Sequence, residues 1–155
     1  MQTTINTVLA ALQAGMNAGF SVSDDFYVKT FYTNDPLAMP HIEVPACSVI
    51  ASQPSPRTDV FVGEDNVTET LQIRFYQSAV RKAGEPPEVA AGMTRLIAMF
   101  EKAETILRTD PTFGSTFVYS KITNVDPLVS GVFEANAYRI CEITFETSSR
   151  KLWGQ

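Results

Sequence analysis

Apolar residues recur at helical spacing between residues 87 and 109, at Val89, Met93, Leu96, Ile97, Phe100 and Leu107, with Ala103 closing the stripe. The spacing predicts one long amphipathic helix, with Pro87 in its first turn, where a missing N–H costs nothing. Glu104 and Arg108 form an i,i+4 ion pair along it. The pattern breaks at Thr109-Asp110-Pro111-Thr112-Phe113-Gly114, where Pro111 ends the helix and Gly114 is free to take positive φ. Strand-like alternation then begins at once, over 115–123. A second helix is predicted near the start, over about 4–18, from Ile5, Val8, Leu9, Leu12 and Met16. Thr3 or Thr4 is positioned to cap it and Gly19 to stop it.

The remaining pattern is that of strands. Residues 24–33 alternate, with Phe26, Val28, Thr30 and Tyr32 on one side and Tyr27, Lys29 and Phe31 on the other. Between 34 and 56, Pro36, Pro40, Pro45, Pro54 and Pro56 forbid a long central strand. Leu37, Met39, Ile42 and Val44 nevertheless keep that stretch apolar, and 47–51 fits a short strand. Residues 58–62 read as a brief strand and Gly63-Glu64-Asp65-Asn66 as a turn. The clearest alternation runs over 69–78, with Leu71, Ile73 and Phe75 facing in and Gln72, Arg74 and Gln77 facing out or sideways. Two more strands, over 116–125 and 135–147, complete the pattern. In the last, the apolar side changes from Tyr138 and Ile140 to Cys141, Ile143 and Phe145, which requires either a bulge or burial on both faces. Helix, strands, helix, two strands argues for a single α+β domain over 1–155, a mainly antiparallel sheet packed against two helices, with a tail over about 148–155.

Composition narrows the function classes. With 155 residues, 45% of them hydrophobic, the chain can bury one ordinary core. The apolar run at the N-terminus is short, has no basic residue before it and keeps helical spacing, so it reads as neither signal peptide nor membrane span. A cytoplasm-like compartment and no membrane partner are expected. Acidic residues outnumber basic ones by 17 to 12, and only Arg81-Lys82 and Arg150-Lys151 place basic residues side by side. Stable nucleic-acid binding needs clustered phosphate contacts and is disfavoured.

Candidate chemistry is sparse. Cys47 and Cys141 have no CxxC partner and no histidine nearby, so they read as buried thiols. His41 is the only histidine, and Ser48 lacks a nucleophile-elbow sequence. Asp24-Asp25 and Glu64-Asp65 are adjacent pairs, but neighbours on a strand would point to opposite faces, and solvated turn acids explain them better. The eight glycines form no phosphate-binding loop. Asn66-Val67-Thr68 matches a glycosylation acceptor without a secretory leader. No enzyme, cofactor or metal site is expected.

What remains is apolar residues where secondary structure does not require them. Asp126-Pro127-Leu128-Val129-Ser130-Gly131-Val132-Phe133 reads as a loop by its turn residues, yet carries four sizeable apolar side chains. An apolar loop either contacts a neighbour or folds back on its own core. Phe61 in Val60-Phe61-Val62 has the same two readings. Trp153 also needs a cover, from its own core or from a neighbour's groove.

The block Ala103-Glu104-Thr105-Ile106-Leu107-Arg108-Thr109-Asp110-Pro111-Thr112-Phe113-Gly114-Ser115-Thr116, followed by a strand and a last strand over 138–145, resembles the second half of tail terminator and minor tail proteins of tailed phages. In that family the helix leads into an Asp-x-Thr-Leu-Gly-like turn and a valine-rich strand. Here Phe113 stands in the leucine position and Ser115 where a second glycine often sits. The motif likeness covers about 96–119 and 136–146, and the likeness of arrangement covers most of the chain.

The resemblance implies a virion structural protein that forms a ring, typically a hexamer, on the head-proximal end of the tail tube. There it would stop tube growth and offer a surface for head–tail joining. The implied partners are further copies of itself, the tail tube protein and a head-completion or neck protein. DNA would only pass through an acidic lumen. Phe61, Leu128, Val129, Val132, Phe133 and Trp153 are the candidate subunit contacts. A neck adaptor or tube subunit would share this outline. A small-molecule binding domain or enzyme, using Glu43 or Asp59 in an apolar pocket, is the alternative of another class.

Overall fold

A computed structural model describes the chain except for residues 22, 37–43, 53–56, 62–63, 79–88, 134–135 and 153–155. Its elements are α1 (Gln2–Asn17), β1 (Thr30–Tyr32), β2 (Ala46–Ala51), β3 (Arg57–Phe61), β4 (Glu64–Ser78), α2 (Val89–Thr109), β5 (Tyr119–Phe133) and β6 (Asn136–Leu152). They form the expected α+β arrangement of one mostly antiparallel sheet and two helices.

The sheet is built around β4 and β6, which pair without interruption from Glu64↔Leu152 to Ser78↔Tyr138. The other side of β4 is shared by two short strands, β3 on its first third and β2 on its second half. β1 adds to β2 in parallel, and β5 pairs with β6 at the opposite edge, giving the order β1-β2-β4-β6-β5.

Alternation decides which side of the sheet is covered. Leu71, Ile73 and Phe75 of β4, Cys141, Ile143 and Phe145 of β6, and Cys47 and Val49 of β2 form one buried layer under both helices. From α1, Ile5, Val8, Leu12 and Met16 descend onto it, and from α2, Leu96, Met99, Ala103 and Leu107. The centre of the α2 stripe thus differs from the expected one. Met99 is fully buried, whereas Ile97 is 46% exposed, because Leu96, Met99, Ala103 and Leu107 share a helical face that Ile97 leaves by about 100°.

The switch of apolar side in β6 is resolved in favour of burial on both faces, since the β4–β6 register carries no shift. Tyr138 and Ile140 join Ala46 and Tyr76 in a second cluster on the face away from the helices, with Tyr32 and Val44 packed against it. The register shifts lie in β5 instead, between Ile122 and Asn124 and between Asp126 and Val129.

Several boundaries differ from expectation. Neither Thr3 nor Thr4 caps α1, whose N-cap is Met1. Thr4 is buried, its hydroxyl donating to Glu69, which also pairs with the Met1 ammonium and is 5% exposed. That carboxylate compensates the positive end of the α1 dipole, the work a cap would do. α1 ends at Asn17, one residue before the expected stop: Ala18 is already extended, and Gly19, at φ 79, belongs to the turn that follows, closed by the Phe20 N–H on the Asn17 carbonyl at 3.2 Å. The strand expected over 24–33 shrinks to Thr30–Tyr32, because Ser21 and Asp24 close a turn, with the Ser21 N–H donating to Asp24 Oδ2 at 2.8 Å. The expected turn over 63–66 also shortens, since Glu64 already pairs with Phe61. Pro87 lies outside the described residues.

Candidate subunit-interface surfaces

Five of the six candidate contacts lie on strands. Phe61 ends β3, opposite Glu64. Leu128 sits inside the irregularity between Asp126 and Val129, while Val129, Val132 and Phe133 pair with Ile140, Ala137 and Asn136. The apolar loop expected over 126–133 is therefore corrected to a strand, and the chain reverses only after Phe133. Asp126-Pro127 and Ser130-Gly131 are turn residues by composition, but a proline beside a bulge on an edge strand removes no bond from the ladder. The side chains of these five candidates fall outside the described residues, as does all of Trp153. His41 and Glu43 fall outside them too, and of Asp59 only its backbone pairing with Asn66 is described.

The backbone carries the clearer signal. Among the described residues no strand pairs with the outer edge of β5, which runs for 15 residues. An edge of that length is a template for a further strand. Two register shifts and Pro127 break its middle, and Lys121, salt-bridged to Glu146 at 3.0 Å, charges its first part. These features guard one half. Val129 to Phe133 runs unbroken opposite Ile140 to Asn136.

The sheet face away from the helices is polar over most of β4 and β6. Arg74 donates from Nε to Glu142 at 2.7 Å, from one terminal nitrogen to Asp35 at 3.0 Å and from the other to Gln72 at 3.1 Å. Gln72 in turn donates to Glu142 at 3.1 Å. The Tyr76 hydroxyl lies 3.0 Å from Ser48 Oγ and donates to Asp35 at 3.4 Å. Burial, reinforced by the Asp35 charge, pushes this phenol up to about 12. Asp35 thereby pins the segment after β1 across the second apolar cluster. Arg74, Gln72 and Tyr76 each donate within this network, which ties β4 to β6 and to the segment after β1.

On the opposite side of the molecule the helices run antiparallel. Gly15 of α1 lies against Ile106 of α2, where an added Cβ would sit 2.5 Å from Ile106 Cδ1. Beside this contact, at the end of α2, lies a groove of about 430 Å³ lined by Thr7, Ala11, Ile106, Thr109, Asp110 and Phe113. Beyond the close approach, Phe20 packs edge-on against Phe26 with ring centroids 4.7 Å apart, and Lys102 lies 4.9 and 5.1 Å over the two rings.

The turn after α2 is left-handed at three successive residues, Phe113 (φ 49), Gly114 (φ 63) and Ser115 (φ 72). Glycine was expected to supply this conformation; the two flanking residues adopt it as well, at a steric cost. Asp110 holds the turn together. Its Oδ1 accepts from Thr112 N–H (3.0 Å) and Thr112 Oγ1 (2.7 Å), and its Oδ2 from Gly114 N–H (2.6 Å). The Thr112 hydroxyl first, then the Gly114 and Thr112 amides, hold its carboxyl below the usual aspartate value. Because residues 111–118 form this turn, the strand expected from 115 or 116 starts only at Tyr119. Val118 and Tyr119, at 46% and 41% exposed, stand beside it.

Sequence reasoning missed both the groove and this exposed pair. Apolar periodicity reports which residues are buried in the chain's own core, and a groove between two helices is lined by residues just off that stripe.

Both cysteines are buried, as expected. Burial pushes the Cys47 thiol far up, and burial with the nearby Asp126 and Glu142 charges takes Cys141 to about 12, so both are protonated and inert. Among the described residues no three histidine, cysteine or acidic side chains cluster as a metal site would require. No described helix is long and apolar enough to cross a membrane. No protein-family model matches the chain, and no curated protein matches it either.

Proposed function

We propose that this protein is a virion structural subunit of the tail terminator type, which closes into a ring on the head-proximal end of a phage tail tube. The observation that carries the reading is that the sheet has two unlike edges. One is the long outer edge of β5; the other is formed by the short strands β1 and β3. Unlike edges allow a head-to-tail contact repeated from copy to copy, which closes when the rotation per subunit completes a circle. The α2 helix, the aspartate-held turn with Gly114 at positive φ and the final strand support the same reading, since they have the arrangement of the family that the sequence resembles. The ring would meet the tail tube protein on one side and a head-completion protein on the other, with DNA crossing its lumen.

Light scattering across protein concentration and salt, with negative-stain images of the same fractions, tests the proposal. A closed ring is expected, or a monomer that becomes a ring when tail tubes are added. Open-ended tubes would instead identify a tube subunit. A monomer indifferent to tail tubes would overturn the structural reading.

A further inference from the structure

The groove at the end of the helix pair has an unusual polar lining. The Thr7 hydroxyl donates to the Thr3 carbonyl at 2.9 Å, and the Thr109 hydroxyl donates to the Thr105 carbonyl at 2.7 Å. A hydroxyl has one hydrogen to donate, so both threonines offer the groove only lone pairs. Asp110 adds an ionised carboxylate, which accepts three hydrogen bonds from its own turn and has room for about one more. All three polar side chains of the lining are therefore acceptors. The groove also sits at the C-terminus of α2, where the last carbonyls lack helical partners and the dipole is negative. Arg108 is turned to the Glu104 side of the helix, where its guanidinium lies 2.8 Å from that carboxylate. The floor, Ala11, Ile106 and Phe113, is apolar.

We propose that this groove receives a basic side chain, arginine or lysine, presented by a partner protein. The hydrocarbon stem would lie along Ala11, Ile106 and Phe113 and the charged head would reach Thr7, Thr109 and Asp110. An acceptor-only rim that includes a carboxylate repels an anion, leaves a purely hydrocarbon occupant without a hydrogen bond, and pairs more strongly with a charged donor than with a neutral one. A cation on a flexible methylene stem satisfies the rim and the floor together. The inference does not depend on the ring, because it follows from the lining alone.

The test is an NMR titration of the full chain with the capped peptide Ac-Gly-Arg-Gly-NH2, using Ac-Gly-norleucine-Gly-NH2 as the uncharged control of similar length. Saturable shifts are expected at the amides of Thr7, Ala11, Ile106 and Thr109, with the arginine peptide binding about tenfold tighter than the control. Ala11→Leu, which fills the groove without touching the turn, should abolish those shifts. Thr109→Val, which keeps the shape and removes one acceptor, should weaken binding about threefold. Its milder change keeps the test decisive if Ala11→Leu fails to fold. Equal binding of the two peptides, or arginine-induced shifts that survive Ala11→Leu, would overturn the proposal. So would binding of free agmatine with exclusion of the capped peptide, since the site would then take a small amine.

Discussion

Asp110 shows how one side chain can set the geometry of a whole turn. Its two oxygens organise three donors within four residues, and the backbone they hold passes through left-handed conformations at Phe113, Gly114 and Ser115. Only the middle one is glycine, so the outer two persist because the hydrogen bonds over-determine them. The carboxylate, not the acid, accepts these bonds, which lowers its pKa in the folded state. For a depressed carboxyl, the stabilisation is in force above the ordinary value of 3.8 and is lost as pH falls through the folded value. The Gly114 and Thr112 amide resonances should therefore titrate together with a midpoint below 3.8. A midpoint at or above it would mean that the turn does not hold the carboxylate. Asp110→Asn should remove the titration and leave Phe113 and Ser115 free to return to ordinary backbone angles. The residue-scale reading from sequence reached the punctuation, Pro111 and Gly114, but not this carboxylate, because an aspartate after a helix has the same spelling whether it binds three donors or faces water.

At the scale of elements, apolar period identified what is buried and misjudged where elements begin. The stripe Leu96, Ala103 and Leu107 and the alternation Leu71, Ile73 and Phe75 were legible because their burial is set by the chain's own core. Residues 126–133 were not, since Pro127 and Gly131 signal turns in a central strand and are tolerated on an edge. Residues 24–28 failed for the reverse reason: alternating aromatics fit a strand, but the Asp24 turn takes the backbone elsewhere. The helix pair could not be foreseen either, because it depends on one contact across the two elements. Gly15 lets α1 lie against Ile106, and a Cβ there would be 2.6 Å from Ile106 Cγ1. Ala is worth about 1 kcal/mol over Gly in a helix. Gly15→Ala should nonetheless lower stability in urea unfolding, by about 1 kcal/mol, because overpacking outweighs propensity. In an Ile106→Ala background the clash is gone, and the same change should raise stability by up to about 1 kcal/mol. Stabilisation in both backgrounds would show that Ile106 simply swings away and that the helices are not held at this distance by Gly15.

At the scale of the whole molecule, the sheet leaves a strand of 15 residues at one edge, and what a neighbour would meet there is backbone as much as side chain. Ser148 accepts from Val118 on the β5 side and β6 pairs with β4 without a register shift, so the even-numbered residues of β6 bond to β5 and Phe133↔Asn136 is a doubly bonded pair. Counting back, Gly131 and Val129 bond inward to β6, while the N–H groups of Val132 and Ser130 point away from it. Ser130→Pro removes one outward donor without breaking an inward one, and Val129 before it is already extended, as a residue preceding proline must be. Stability should fall by no more than about 1 kcal/mol. If assembly adds a neighbour's strand to this edge, the variant should remain a folded monomer in light scattering under conditions where the unchanged protein forms rings. Gly131→Pro is the control: it removes an inward N–H and should cost about 3 kcal/mol or more, as proline does wherever it breaks a backbone hydrogen bond. Rings formed by Ser130→Pro as readily as by the parent would take the β5 edge out of the interface.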